Sequence, residues 1–146
     1  MAVRDLIVIG ASAGGIQALT GLFGALRGDL PAAVLLVQHT APTGPQTLPT
    51  ALADRGPLPA RFAEAGESPQ PGVLYVAPPD RHLVLSGSKM HLTDGPRENR
   101  SRPSVDVLFR TAAVDAGSRV VGVLLAAASG YVPDPEESTT WLPAAI

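Results

Sequence analysis

The sequence contains no cysteine, and this absence limits the chemistry available to the chain. Without cysteine there can be neither a disulfide nor a thiolate metal site. The three histidines, His39, His82 and His91, are scattered and lack the spacing typical of metal ligands. We therefore expect no metal site.

An excess of basic residues is also lacking. The chain has 11 Lys and Arg residues against 13 Asp and Glu residues, which gives a formal net charge of −2. Proteins that bind nucleic acid electrostatically carry a clear basic patch or stripe. The sequence therefore predicts no nucleic-acid partner.

Charge is absent altogether from residues 6–26, a stretch long enough to cross a bilayer as a helix. The stretch contains five glycines together with Ser12, Gln17 and Thr20, a composition that is poor for insertion. It also divides into a β-branched run followed by a helical period. Asp5 stands where the basic region of a signal peptide should end. We expect no membrane insertion and a cytoplasmic location.

What the sequence does contain is a regular alternation of two hydrophobic patterns. Short apolar runs predict buried strands, and apolar residues at helical spacing predict helices between them. The predicted strands are 5–9, 33–37, 73–76 and 120–125, the predicted helices are 16–26, 46–54 and 103–116, and 82–85 with 90–92 form a predicted hairpin. This order is typical of an α/β fold: a doubly wound, mainly parallel sheet with flanking helices, here with a β-hairpin. We expect a single domain over residues 1–146.

Two chemically useful side chains follow the first two predicted strands. Ser12 comes just after the first strand and His39 just after the second. Sites in such sheets form beyond the carboxyl ends of the strands, and consecutive strands are often neighbours. The pattern therefore predicts that Ser12 and His39 face each other at one edge of the sheet.

The segment Gly10-Ala-Ser-Ala-Gly-Gly15 allows three interpretations. As a dinucleotide-binding loop it has Ser12 where a glycine belongs, and Gln38-His39 stand where a ribose-binding residue should follow the second strand. As a nucleophile elbow it fits G-x-S-x-G, although His39 comes earlier than in the α/β-hydrolase order. As a simple turn, its serine caps the following helix. A serine paired with a histidine favours acyl transfer, because the hydroxyl needs a base to become nucleophilic.

Five segments, taken in order, resemble the catalytic domain of the chemotaxis protein-glutamate methylesterase family (CheB-type). They are VIGASAGGIQAL, VLLVQHTAP, PGVLYVAPPDRHLVL, SRPSVDVLFRTAA and RVVGVLL. The resemblance implies a doubly wound α/β domain that hydrolyses glutamate γ-methyl esters on the cytoplasmic helices of chemoreceptors and deamidates some glutamines. It implies no cofactor.

By matching motifs, the resemblance assigns Ser12 as the nucleophile and His39 as the general base. The backbone N–H groups of Ala13 and Gly14 become the expected oxyanion donors. Many family members have threonine where this chain has Ala13.

The helix of the RPSVDVLF motif is expected to help wall the site. Its apolar residues Val105, Leu108 and Phe109 are interpreted as core packing. Many members have histidine where this chain has Ser101. Nearby, Arg97, Arg100 and Arg102 form either a solvated cluster or a contact for an acidic receptor surface.

The sequence departs from the family after the last predicted strand. There the family has a loop resembling T-G-M-G-x-D-G, whose aspartate orients the histidine, but this chain reads Ala126-Ala-Ala-Ser-Gly-Tyr131. Tyr131 therefore stands at the aspartate position. The residues that follow resemble segments that come later in the family's sequence. Relative to the family, this chain is therefore predicted to lack about one helix–strand unit and the terminal helix.

These departures predict a shortened methylesterase domain without a receiver domain, in which activity is impaired. Asp134 is a possible substitute for the missing carboxylate. An exposed sheet edge would favour self-association. The alternatives are a catalytically silent receptor-binding module of the same fold and a nucleotide-binding, Rossmann-like domain.

Overall fold

The structure is a computed structural model that describes residues 3–12, 16–39, 48–98 and 101–125. These ranges contain seven strands and three α-helices. The strands are β1 (Leu6–Ala11), β2 (Ala33–Gln38), β3 (Ala60–Phe62), β4 (Leu74–Val76), β5 (His82–Ser86), β6 (Lys89–Thr93) and β7 (Val120–Leu125). The helices are α1 (Ile16–Ala25), α2 (Leu48–Arg55) and α3 (Val105–Ala116), and a 3₁₀ turn (Gly117–Arg119) follows α3.

Five of the strands form a parallel sheet in the order β3-β4-β2-β1-β7. β1 lies between β2 and β7, with Leu6 opposite both Ala33 and Val120. The predicted mainly parallel sheet and the predicted proximity of the first two strands are therefore confirmed. The order also places β7 on the other side of β1, so that three strands end side by side.

Alternate residues of β2 enter two separate cores. Leu35 and Val37 belong to a cluster on one face of the sheet, whereas Val34 and Leu36 belong to a cluster on the other. The strand is fully buried because side chains alternate between its two faces and both faces are covered.

Helices cover both faces, which confirms the doubly wound architecture. α1 and α2 supply Phe23 and Leu52 to one core, and α3 supplies Leu108 to the other. The predicted core role of Val105, Leu108 and Phe109 is borne out by their burial.

The hairpin β5–β6 forms a separate antiparallel pair that contacts α3. Its two-residue turn is Gly87-Ser88, with φ values of 58° and 61°. Two left-handed residues in succession are the signature of a type I′ turn, which matches the twist of the strands. The Asp115 carboxylate accepts hydrogen bonds from both turn N–H groups, at 2.8 and 2.9 Å, and so ties the turn to the end of α3.

Several predicted bounds differ from the observed ones by one or two residues, and one short strand was not predicted. β1 continues through Gly10 to Ala11, because a central strand is paired on both sides. α3 begins at Val105 rather than Pro103, because Ser104 is extended (φ −114°, ψ 135°) and serves as its N-cap residue. β3 was not predicted, since it has only three residues and follows the prolines at 57 and 59.

The uncharged stretch 6–26 is divided between β1 and α1, as its two patterns predicted. Within the described ranges, no helix is long and apolar enough to cross a membrane.

Candidate active site

Ser12 lies at the carboxyl end of β1, held through its main chain. Its N–H donates to the Leu125 carbonyl of β7 at 3.1 Å, and its own carbonyl accepts from Gln38 Nε2 of β2 at 3.2 Å. Both neighbouring strands therefore fix the backbone of this serine, whose side chain is partly accessible.

His39 lies at the corresponding end of β2. Its N–H donates to the Ala11 carbonyl at 2.9 Å, so the parallel ladder extends to this residue. Ala11 and Gln38 are register partners, and Ser12 and His39 are the residues that immediately follow them. The structure thus brings the two sequence-predicted residues to neighbouring strand ends on the same edge of the sheet.

Gln38, the last residue of β2, stabilises this edge of the sheet through its side chain. Its side chain is 3% exposed, and its Nε2 group bonds the Ser12 carbonyl. Its Oε1 atom is buried and has no hydrogen-bond partner among the described residues. A buried amide that bonds the main chain of Ser12 fits a role in holding this residue, which the sequence analysis did not assign to Gln38.

The first turn of α3 closes the other side of His39. The Val105 N–H donates to His39 Nε2 at 3.4 Å, a long hydrogen bond between a helix N-terminus and the imidazole. The predicted wall formed by the RPSVDVLF helix therefore contacts the candidate base through a backbone amide.

Gly10 permits this close approach. A Cβ atom built on Gly10 would lie 2.4 Å from Val105 Cγ1 and 2.8 Å from Cγ2, far inside van der Waals contact. Gly10 belongs to β1, so this glycine is needed for packing against α3.

His39 is half-buried, and burial lowers the pKa of its imidazole below the ordinary value of 6.5. The Asp106 carboxylate, in the first turn of α3, opposes this effect and raises the pKa. Burial is the larger effect, because a charged imidazolium loses more hydration than the carboxylate returns. A neutral imidazole near pH 7 has the protonation state that a general base requires.

Two histidines that sequence analysis left without a role have structural partners. His82 is buried, its Nδ1 accepts from the Ser104 N–H at 3.2 Å, and its Nε2 lies 2.7 Å from the Pro96 carbonyl. His91 contacts the Ser86 carbonyl on the hairpin. In the part of the chain that the structure describes, no group of three or more His, Asp or Glu side chains could hold a metal ion.

The arginines near the site are engaged by acidic or carbonyl partners. Arg102 bonds Asp80 through Nε and an Nη nitrogen, at 3.1 and 2.8 Å, and also reaches the carbonyls of Asp94 and Gly95. Arg97 lies 3.9 Å from the same Asp80 carboxylate. Arg102 therefore joins the loop after β4 to the entry of α3, a structural role that the sequence did not reveal.

Several predicted features fall outside the described residues. Among them are Ala13 and Gly14, Arg100, and the segment 126–146 with Tyr131 and Asp134. The assignments of oxyanion donors and of the missing aspartate position stay predictions.

Comparison with known proteins gives a consistent result. Residues 7–130 match the family model described as CheB methylesterase. The chain is 39% identical over 131 residues to "protein-glutamate methylesterase/protein-glutamine glutaminase 2" of Methanosarcina mazei, covering 84% of this chain and 36% of that protein. It is 43% identical over 126 residues to "protein-glutamate methylesterase/protein-glutamine glutaminase 1" of Geobacter metallireducens, covering 84% of this chain and 34% of the relative.

The fold agrees with that of a solved relative. The crystal structure of the Thermotoga maritima CheB methylesterase catalytic domain superposes with a TM-score of 0.78 at 32% identity, over 84% of this chain and 67% of that one. The chain spans about a third of the length of the curated relatives it matches. With the family match over most of its length and the serine and histidine at one edge of a doubly wound sheet, this chain belongs to the CheB methylesterase family.

Proposed function

We propose that this chain is a serine carboxylic-ester hydrolase that removes methyl groups from glutamate γ-methyl esters. The observation that carries the proposal is the placement of Ser12 and His39 directly after a register pair of neighbouring strands. The names of the relatives, protein-glutamate methylesterase/protein-glutamine glutaminase, support the substrate class. The substrate we propose is the cytoplasmic helical region of a methylated chemoreceptor, and the proposed location is the cytoplasm.

In the proposed first step, the His39 imidazole takes the proton of Ser12 Oγ while Oγ attacks the ester carbonyl carbon. The oxyanion that forms is stabilised by backbone N–H groups after Ser12, for which we propose Ala13 and Gly14. The intermediate collapses to a seryl ester, and the proton on His39 leaves with the methoxy group as methanol.

In the second step, His39 takes a proton from water, whose oxygen attacks the seryl ester. The receptor is released with a glutamate side-chain carboxylate, and the proton returns to Ser12 Oγ. Deamidation of glutamine follows the same path, with ammonia as the leaving group. The half-buried, neutral imidazole supports this cycle because it can accept a proton at neutral pH.

The first prediction concerns Ser12. We expect Ser12→Ala to lower methanol release from a methylated receptor fragment by at least about a thousandfold, because the nucleophile is lost. Ser86→Ala is the matched control, since Ser86 is an exposed serine on the hairpin. Both variants should unfold in urea at the midpoint of the parent.

A phosphonate reagent that reacts with activated serines provides a second measurement. Peptide mapping by mass spectrometry identifies the residue that carries the label. Labelling of Ser12 that disappears in His39→Gln would support the nucleophile–base pair. A folded chain that neither releases methanol nor reacts at Ser12 would contradict the proposal, and would favour the silent receptor-binding module suggested by Tyr131.

A further inference from the structure

The main chain of Ser12 is bonded to two different strands at the point where β1 ends. Its N–H donates to the Leu125 carbonyl of β7 at 3.1 Å, which continues the pairing of β1 with β7. Its carbonyl accepts from the Gln38 side chain of β2, with Nε2 at 3.2 Å. A side-chain amide therefore holds the carbonyl of the proposed nucleophile.

Gln38 reaches Ser12 from the face of the sheet opposite to α3. Side chains of β2 alternate between two cores: Val37 shares one core with Leu108 of α3, and Leu36 belongs to the other. Gln38 is the next residue of the strand, so its side chain lies on the face of Leu36. It is also 3% exposed. A side chain buried in this way acts on Ser12 without touching a substrate.

The amide of Gln38 is not the group that stability alone would favour at this position. Its Oε1 atom is buried and has no hydrogen-bond partner among the described residues. A buried polar atom without a partner is unfavourable, and an apolar side chain of similar size would avoid it. In the part of the chain that the structure describes, the side-chain bond that this amide makes is the one to the Ser12 carbonyl. Such a local cost is typical of a residue that serves a site.

The direction of a carbonyl also determines the direction of the neighbouring N–H. A peptide group is planar and trans, so its C=O and N–H bonds point in opposite directions. The hydrogen bond to the Ser12 carbonyl therefore restricts rotation of the whole peptide group that follows Ser12. The N–H of that group belongs to Ala13, one of the two proposed oxyanion donors. A rotated group would present a carbonyl oxygen where the oxyanion needs a donor.

We propose that Gln38 is a positioning residue for the nucleophile: its Nε2 group holds the Ser12 carbonyl, and so keeps the N–H of the same peptide group directed at the oxyanion that forms when Ser12 Oγ attacks. This inference rests on the proposed function. Gln38 acts through the main chain of Ser12, whereas His39 acts on the reacting hydroxyl.

The donor can be removed by Gln38→Met, which keeps the length of the side chain. Leu36→Met is the matched control, since Leu36 is fully buried on the same face of β2. We expect Gln38→Met to lower kcat for methanol release at least about tenfold and to change KM by less than about twofold, because an oxyanion donor acts in the transition state. Leu36→Met should change both constants by less than about twofold.

Urea unfolding of the same variants distinguishes positioning from a structural role. Gln38→Met should unfold at a midpoint no lower than that of Leu36→Met, because it removes the buried Oε1 atom together with the donor. A fall in kcat without a loss of stability is a pattern that a merely structural residue would not give. Gln38→Leu also lacks the donor and repeats the comparison with a second side chain.

An NMR measurement separates this inference from the proposed function. Loss of the hydrogen bond should move the carbonyl carbon resonance of Ser12 in Gln38→Met, relative to the parent, and leave it unchanged in Leu36→Met. Equal kcat values in the two folded variants would overturn the inference even though the enzyme is active.

A parent chain that releases no methanol would contradict the proposed function, and the Ser12 carbonyl resonance then decides on Gln38. A change confined to Gln38→Met would support the hold on the peptide group after Ser12. The same resonance position in both variants would overturn the inference as well.

Discussion

Gly10 is the residue on which the approach of α3 to β1 depends. Gly10 belongs to the motif around Ser12, but the sequence alone offered no way to see that Val105, 95 positions later, packs against it. The positions of Ser12 and His39 at the strand ends, by contrast, were predictable, because the end of a buried strand can be recognised from local pattern. Residue roles that depend on long-range contact were not.

We expect Gly10→Ala to destabilise the protein by about 1–3 kcal/mol, because the added methyl group overlaps the Val105 side chain. Gly21→Ala is the control: Gly21 is exposed on α1 with nothing within 4 Å of an added Cβ, so alanine should stabilise the helix by about 0.5–1 kcal/mol. Urea unfolding measures both.

The double variant Gly10→Ala/Val105→Ala tests the cause. If the overlap is responsible, the double variant should be more stable than the sum of the single effects by at least about 0.5 kcal/mol. Simple additivity would show that Gly10 is needed for another reason.

Some helices and strands were predicted more accurately than others, because the elements differ in length and in pairing. Strands such as β2 and β7 have a continuous apolar pattern over five or six residues, whereas β3 has three residues and no period. The start of α3 was misplaced because Pro103 suits a first turn. The Ser104 N–H donates to His82 of β5, and this contact between the hairpin and the residue before α3 accompanies the later start of the helix.

His82 is the link between the hairpin and α3. We expect His82→Phe to destabilise the protein by about 1–3 kcal/mol, because the Ser104 N–H and the Pro96 carbonyl lose their buried partner. His91→Phe, on the partly exposed side of the same hairpin, should change stability by less than about 0.5 kcal/mol. Equal effects in urea unfolding would argue against this link.

At the scale of the whole molecule, the alternation of buried strands and helices was enough to predict the α/β class and the parallel sheet. The strand order was only partly accessible, since nothing in the sequence places β7 beside β1 and opposite β2. That order matters for the site, because Leu125 of β7 provides the acceptor for the Ser12 N–H.

Folding stability should also depend on pH through His39. Above the ordinary value of 6.5, the imidazole is neutral in both the folded and the unfolded chain. Below it, the unfolded chain takes up a proton first, because burial lowers the folded pKa, so the free energy of unfolding should fall until the pH reaches that lower value.

The Glu67 and Glu98 carboxyls, whose pKa values are lowered by hydrogen bonds to arginine, should add their own losses only at more acidic pH, below 4.5. Urea titrations at several pH values measure the effect, and His39→Gln should flatten the curve just below pH 6.5. A parent curve that is already flat there would contradict this prediction.

The main-chain bonds at the edge of the sheet determine how the site can be lost. The amide of His39 is bonded to Ala11 of the central strand β1, and the amide of Ser12 is bonded to Leu125 of β7, the last strand of the described sheet. Each amide exchanges with solvent when its own strand pair opens, and local opening requires less free energy than separation of the central strands. Separation of β7 from β1 would therefore release the main chain of Ser12 while His39 stays bonded to β1.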